Sequence, residues 1–161
     1  YVGISNYNTE QTSKIKKIFD ELKTPFIINQ PSYSMLNRWI EEDGLKDYAY
    51  ENGLGLAVFS PLAQGLLTDK YLKTNTGSSS RPWMKSQPDE NTLKKLKKLN
   101  EIAANRGQKL SQMALSWVLR DDKITTVLIG ASRPEQITEN LQAVFKTDFS
   151  QEELTAIEDT L

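Results

Sequence analysis

The sequence predicts an α/β domain built on a parallel β-sheet. Four short runs of apolar residues have the length and the β-branched content of strands, and glycine, proline or small polar residues end each run. Apolar residues at helical spacing follow every run. A helix between successive strands allows the strands to lie parallel, because the chain returns to the same end of the sheet before each strand begins. The predicted strands are residues 1–5, 26–30, 56–60 and 125–130.

The predicted helices are marked by capping patterns and by glycine or proline at their ends. Asn8 and Gln11 have the spacing of a capping box at the start of the first helix, and Pro25 follows its end. The other predicted helices lie between residue 37 and Gly53, over residues 92–106, after Ser111, and after a second capping box formed by Ser150 and Glu153.

The fourth strand and the helix after it suggest a ligand site. Residues 125–130 have the composition of a strand buried on both faces, and a glycine ends the run. Ser132 and Glu135 have capping-box spacing, so a helix is expected to begin directly after this turn. The free N–H groups of its first turn, together with Arg133, would attract a phosphate. An ordinary strand–turn–helix unit is the alternative.

The composition excludes several classes of function. A net charge of −1 argues against nucleic-acid and membrane-surface partners. The absence of cysteine excludes disulfides and thiolate sites and fits a cytoplasmic location. The absence of histidine removes the commonest general base and zinc ligand, so no metal site is expected. No apolar run approaches the length of a membrane span, and none has the pattern of a signal peptide.

Small polar residues lie at or just beyond the predicted strand ends. In chain order they are Ser5 with Asn6, Asn29 with Gln30, Ser60, and Ser132. In a parallel sheet these ends meet at one edge, which is where α/β folds bind ligands. The same residue types are common in turns, so a purely structural role is the alternative.

Two features concern the completeness of the fold. Residues 74–89, which include Arg81, form a long irregular segment that fits either a lid or a disordered linker. The four strand–helix units fill a single domain of residues 1–161, whereas a closed eightfold barrel takes about 250 residues. The chain is therefore a small open α/β domain or one half of a larger fold.

Four motifs, in order along the whole chain, resemble those of the aldo-keto reductases. They are Gly3-Ile4-Ser5-Asn6, Asn29-Gln30-Pro31-Ser32-Tyr33, Phe59-Ser60-Pro61-Leu62-Ala63-Gln64-Gly65, and Ile129-Gly130-Ala131-Ser132 with Glu139-Asn140. The branch that looks most similar contains the glyceraldehyde-3-phosphate or methylglyoxal reductases and the potassium-channel β subunits. The resemblance implies that the chain is the C-terminal half, strands five to eight with their helices, of a (β/α)8 TIM barrel.

The resemblance also implies a binding site for NADPH. Ser5, Asn6 and Gln30 would hydrogen-bond the nicotinamide carboxamide, and Phe59 would stack on the ring. The pyrophosphate would be lined by Ser60, Pro61, Leu62, Gln64 and Gly65, with counter-charges from Lys70 and Arg81. The adenosine end would be held by Gly130, Ser132, Arg133, Gln136, Glu139 and Asn140. Some branches carry Lys and Arg at the positions of Gly130 and Gln136, so this chain is expected to recognise the 2′-phosphate less strongly. Tyr33 and Trp39 would belong to a substrate loop.

The implied catalytic residues are missing from this chain. The family's Asp, Tyr, Lys and His lie on the first four strand–loop units, and none of those motifs occurs here. The implied function is NADPH-dependent reduction of small aldehydes or ketoaldehydes by a longer protein, in which the N-terminal half of the barrel is the partner of this chain. Two alternatives are a nucleotide-sensing regulatory module similar to the channel β subunits, and a half-barrel that pairs with a second copy of itself as a homo-oligomer.

Overall fold

The computed structural model describes residues 1–72 and 88–161. Its centre is a four-stranded sheet in the order β1-β2-β3-β4, in which every neighbouring pair is parallel. The strands are β1 Val2–Ser5, β2 Phe26–Gln30, β3 Gly55–Val58 and β4 Thr126–Val127. The predicted parallel α/β architecture is therefore confirmed. The long segment predicted at residues 74–89, with Arg81, lies almost entirely outside the described residues.

Seven α-helices and three 3-10 turns are seen among the described residues. The helices are α1 Thr9–Glu21, α2 Trp39–Glu42, α3 Leu45–Glu51, α4 Glu90–Asn105, α5 Leu110–Val118, α6 Pro134–Leu141 and α7 Gln151–Glu158. The 3-10 turns are Ala63–Gly65, Asp69–Tyr71 and Gln142–Phe145. Two of the three predicted capping boxes are present, Asn8 with Gln11 at the start of α1 and Ser150 with Glu153 at the start of α7, whereas the one predicted from Ser132 and Glu135 is absent.

The helical region between residue 37 and Gly53 differs from the prediction. It contains two short helices, α2 and α3, rather than one. Gly44 separates them with a left-handed φ of 79°, which a glycine adopts without the steric penalty of a side chain. The apolar spacing is interrupted here as well, because no apolar residue lies between Ile40 and Leu45.

Strand β4 is shorter and more exposed than predicted. Its backbone pairs with β3, and Leu128 N–H donates to the Val58 carbonyl at 2.8 Å just beyond the strand. Leu128 and Ile129 nevertheless remain 43% and 36% exposed. The expectation of a strand buried on both faces over residues 125–130 is therefore wrong for this chain, because among the described residues β4 has a strand neighbour on one side only.

The core lies between β3 and the helices packed on it. Leu56 and Val58 of β3 are fully buried, as are Leu99 of α4, Trp117 of α5 and Ile157 of α7. This packing holds the parallel strands in place, so that their carboxyl ends share one edge of the sheet. Within the described part of the chain, no helix is long and apolar enough to cross a membrane.

Candidate functional site

The ends of β1 and β2 are joined by hydrogen bonds at the carboxyl edge of the sheet. The Ser5 hydroxyl donates to the Gln30 carbonyl at 2.8 Å, and the Asn6 N–H donates to the same carbonyl at 3.2 Å. Asn6 has a left-handed φ of 56°, a conformation that asparagine tolerates better than most residues. Three of the predicted nicotinamide contacts, Ser5, Asn6 and Gln30, are thus brought together.

The hydrogen bonds at this edge fix which polar atoms can meet a ligand. Asn6 Oδ1 accepts from the Ser32 N–H at 3.1 Å, so the amide nitrogen is the half of the Asn6 side chain that can donate to a ligand. The Ser5 hydroxyl donates its hydrogen bond to the Gln30 carbonyl, which leaves the lone pairs of the Ser5 oxygen as acceptors. Both residues are exposed. The edge therefore presents a donor and an acceptor on adjacent residues.

The loop after β3 concentrates backbone strain. Ser60, Ala63 and Gln64 have left-handed φ values of 56°, 47° and 57°, and Gly65 follows at 94°. Each non-glycine residue in that region costs about 1–2 kcal/mol. The loop is held by the Ala63 N–H donating to the Ser60 carbonyl at 2.9 Å and by the Gly65 N–H donating to Leu62 at 2.9 Å. Such strain is typical of functional loops. The predicted pyrophosphate residues lie here, with Leu62 and Gly65 half-buried, Ser60 and Gln64 exposed, and Pro61 buried, and they follow the half-buried Phe59 that was predicted to stack on the nicotinamide.

The start of α6 differs from the predicted capping box. Arg133 is the N-cap residue, with Pro134 as the first helical residue, and the expected Ser132–Glu135 pair is absent. Instead, Gln136 Oε1 accepts from the Ser132 N–H at 2.8 Å and from its hydroxyl at 3.2 Å. One N–H group expected to be free for a phosphate is therefore already bonded. Gly130 and Arg133 lie on the surface beside this turn.

Glu139, one of the residues predicted for the adenosine end of the cofactor, is bonded to residues at the start of α5. Glu139 Oε1 pairs with Lys109 Nζ at 2.8 Å, and its carbonyl accepts from Gln112 Nε2 at 2.9 Å. Asn140 is buried, with 8% of its surface exposed.

Lys70, predicted as a counter-charge for the pyrophosphate, is exposed, and its ammonium lies 5.2 Å from the centre of the Tyr71 ring.

Tyr33 is a core residue and does not line a substrate loop. Its side chain is fully buried, and its hydroxyl donates to Glu41 Oε1 at 2.5 Å and accepts from Arg120 Nη1 at 3.0 Å. Glu41 also accepts from Arg38 Nε at 2.6 Å and pairs with Lys46 Nζ at 3.4 Å. Burial raises the pKa of the Tyr33 phenol. Burial also acts to raise the pKa of Glu41, but hydrogen bonds from Tyr33, Arg120 and Arg38 outweigh it and lower that pKa to about 2.

The indole of Trp39 is also turned into the protein. It is half-buried, and its Nε1–H donates to the Ser32 carbonyl at 2.8 Å. Its polar group is therefore bonded to the backbone after β2, and the predicted substrate-loop role of Trp39 stays a prediction.

Comparison with known proteins assigns the fold. The sequence profile of the Aldo/keto reductase family matches residues 1–161. The chain belongs to that family. An L-glyceraldehyde 3-phosphate reductase of Escherichia coli K12 is 48% identical over 98% of this chain and 48% of its own length. A probable voltage-gated potassium channel subunit beta of Oryza sativa subsp. japonica is 32% identical over 89% of this chain and 46% of its own length.

Solved structures agree with this assignment. The glycerol dehydrogenase AKR11B4 from Gluconobacter oxydans superposes with a TM-score of 0.77 at 26% identity, over 99% of this chain and 48% of that one. This aldo/keto reductase chain therefore has a TIM-barrel-like α/β fold of the oxidoreductase family. It spans about half the length of the curated relatives it matches.

Sequence reasoning missed two residues of this edge, Ser32 and Asn37. The Ser32 backbone bonds to Asn6, and the Ser32 hydroxyl accepts from Asn37 Nδ2 at 3.0 Å. One signal was available, because a small polar residue directly after Pro31 is well placed to hold the chain as it leaves β2.

Proposed function

We propose that this chain is the C-terminal half, strands five to eight with their helices, of an NADPH-dependent aldo-keto reductase with a (β/α)8 barrel. In this proposal the chain supplies the cofactor-binding half of the site. The parallel order of the four strands and the half-length match to the relatives support it.

The two outer strands support the proposal that another half of the barrel exists. Among the described residues, β1 and β4 each pair on one side only. The helical segments that follow the two outer strands carry exposed apolar side chains, Ile18 and Leu22 in and just after α1, and Leu141 and Phe145 in α6 and the 3-10 turn after it. Open edges of this kind invite aggregation, and an N-terminal set of four strand–helix units would cover both.

The donor and acceptor at the end of β1 are the observation that carries the cofactor assignment. A primary carboxamide offers one acceptor oxygen and one donor nitrogen. The Asn6 amide nitrogen and the Ser5 oxygen lone pairs are complementary to these two groups. Gln30 ends the neighbouring strand, and the half-buried Phe59 follows β3, where its ring would stack on a nicotinamide.

The remaining parts of the proposed site suit an anionic cofactor tail. The left-handed residues after β3 allow the backbone to approach a pyrophosphate closely. Exposed Lys70 would add positive charge. At the start of α6, Arg133 would pair with the 2′-phosphate that distinguishes NADPH from NADH. Gln136 Oε1 already accepts a hydrogen bond from the Ser132 N–H, so the backbone of this turn has one donor fewer for an anion.

When bound, NADPH would supply the hydride that reduces a carbonyl carbon. A proton must also reach the carbonyl oxygen, and a group that touches that oxygen has to provide it. Tyr33 cannot do so from this position, because it is fully buried and bonded to Glu41. The proposal therefore places the proton donor on the other half of the barrel, and this chain alone is expected to be inactive.

We propose small aldehydes and ketoaldehydes as substrates, with L-glyceraldehyde 3-phosphate first because a relative of 48% identity carries that name. The test is NADPH consumption by the full-length protein with L-glyceraldehyde 3-phosphate or methylglyoxal, beside the 161-residue chain alone. Turnover by the full-length protein only is the expected result. Turnover by the chain alone would contradict the proposed division of the site.

A second candidate is a nucleotide-sensing regulatory module, supported by the relatives named potassium channel β subunits. It predicts NADPH binding by the full-length protein without significant turnover. A third is a half-barrel that pairs with its own copy, supported by the unpaired edges of β1 and β4 among the described residues and by the exposed apolar side chains in the helical segments after both strands. It predicts a stable dimer of the 161-residue chain.

We also propose that the protein is located in the cytoplasm, because a sequence without cysteine fits a reducing compartment.

A further inference from the structure

Ser32, two residues beyond β2, is held by all three of its polar groups. Its N–H donates to Asn6 Oδ1 at 3.1 Å, its hydroxyl accepts from Asn37 Nδ2 at 3.0 Å, and its carbonyl accepts from Trp39 Nε1 at 2.8 Å. The three partners come from different places, the turn after β1, the loop after β2 and the start of α2. Ser32 is therefore fixed from several directions.

The same segment is tied to the end of β3. Ser32 forms a parallel bridge with Phe59, whose N–H donates to the Pro31 carbonyl at 3.0 Å. The Phe59 carbonyl accepts from the Tyr33 N–H at 3.2 Å. Ser32 thus connects the ends of three neighbouring strands, at the edge that carries Asn6 and Phe59.

We propose that Asn37 and Trp39 are positioning residues for the nicotinamide end of the cofactor site, acting through Ser32. The inference rests on the proposed function. Without the Ser32 N–H, the Asn6 amide could rotate and present its oxygen instead of its nitrogen. Asn6 also sits in a left-handed conformation, which persists only where its surroundings hold it. Asn37 and Trp39 supply this support by fixing the Ser32 hydroxyl and carbonyl.

Substitutions at Asn37 and Trp39 can separate this role from general packing. Trp39→Phe keeps a large ring and removes the N–H that binds Ser32. Asn37→Leu removes the donor to the Ser32 hydroxyl, whereas the carboxylate of Asn37→Asp can accept a hydrogen bond from that hydroxyl and restore the link with the direction reversed. Asn52→Leu is the matched control, since the Asn52 amide donates to the Tyr48 carbonyl at 2.8 Å in an exposed position at the end of α3.

The experiment measures the affinity of the full-length variants for NADPH and for adenosine 2′,5′-bisphosphate, which lacks the nicotinamide. Trp39→Phe and Asn37→Leu should weaken NADPH binding about threefold to tenfold, the effect of one lost hydrogen bond, and leave the bisphosphate affinity unchanged. Asn37→Asp and Asn52→Leu should bind both ligands as the wild type does.

Two results would overturn the inference, namely equal weakening of both ligands, which indicates a general structural role, or no weakening at all. Failure of the wild-type protein to bind NADPH would instead refute the proposed function, and with it the inference.

Discussion

Glu41 offers the sharpest test of how the loop after β2 is held. Its carboxylate accepts from Arg38 Nε at 2.6 Å, from Arg120 Nη2 at 2.6 Å and from the Tyr33 hydroxyl at 2.5 Å. Glu41→Gln keeps the shape of the side chain and removes its charge. We expect this substitution to destabilise the protein.

The size of the expected destabilisation depends on which ion pairs each neighbouring cation keeps after the substitution. Arg38 still pairs with Glu158 at 2.5 Å, and Lys46 keeps Asp121 at 2.6 Å, whereas the ion pair of Arg120 is with Glu41. Removing one partner of a fully buried pair costs about 3–5 kcal/mol. Because mainly one cation is left uncompensated here, we expect a loss of about 2–3 kcal/mol. The lowering of the Glu41 pKa from 4.5 to about 2 corresponds to an upper limit of about 3 kcal/mol.

The pH dependence has a definite sign. A carboxylate whose pKa is lowered by folding stabilises the native state above its unfolded pKa, and this contribution disappears as the pH falls through the folded value. The difference in the free energy of unfolding between the wild type and Glu41→Gln should therefore be constant above about pH 5. It should shrink as the pH falls from 4.5 to about 2.

Urea unfolding of the full-length protein at about pH 7 and about pH 3.5 measures this difference. Glu10→Gln is the control, because Glu10 forms an exposed pair with Lys14 on α1 and should leave the unfolding midpoint unchanged. An unchanged midpoint for Glu41→Gln at neutral pH, or a difference that does not shrink in acid, would refute the reasoning.

Three further predictions concern the proposed site and the proposed half-barrel. Gln30→Ala in the full-length protein should lower kcat about threefold to tenfold without changing affinity for adenosine 2′,5′-bisphosphate, because one carboxamide hydrogen bond is lost; an unchanged kcat would mark Gln30 as structural. Arg133→Glu should weaken NADPH binding about tenfold to hundredfold and NADH binding far less, and equal losses in a paired titration would show that Arg133 does not bind the 2′-phosphate. The 161-residue chain alone should not fold cooperatively as a monomer, because β1 and β4 have open edges and Phe145 is 80% exposed; a monomer in light scattering with a sharp unfolding transition would contradict this.

Local sequence patterns predicted those features of the fold that depend mainly on residues close together in the sequence. β2 has the predicted bounds, and the capping box of Asn8 and Gln11 is present, whereas the equally local pair of Ser132 and Glu135 forms none because α6 begins one residue later than predicted. Burial of β4 could not be predicted in this way. Its composition describes the environment that the strand is suited to, whereas its exposure depends on which elements lie beside it.

The site was predictable in part for the same reason. Polar residues at strand ends indicated the carboxyl edge, and Ser5 and Asn6 do meet Gln30 there. The bond from Ser32 to Asn6 joins residues 26 apart in sequence, so no local pattern contains it. Tyr33 lies only one residue beyond Ser32, yet its side chain points into the core, because its hydroxyl is hydrogen-bonded to Glu41 and Arg120 there.

A crystal structure of the full-length protein with NADP+ tests the proposed cofactor half-site most directly. We expect the carboxamide oxygen within hydrogen-bond distance of Asn6 Nδ2 and the carboxamide nitrogen near Ser5 Oγ, with the pyrophosphate along residues 60–65 and the 2′-phosphate beside Arg133. A nicotinamide bound away from the ends of β1 and β2, or a cofactor held entirely by residues outside this chain, would contradict the assignment.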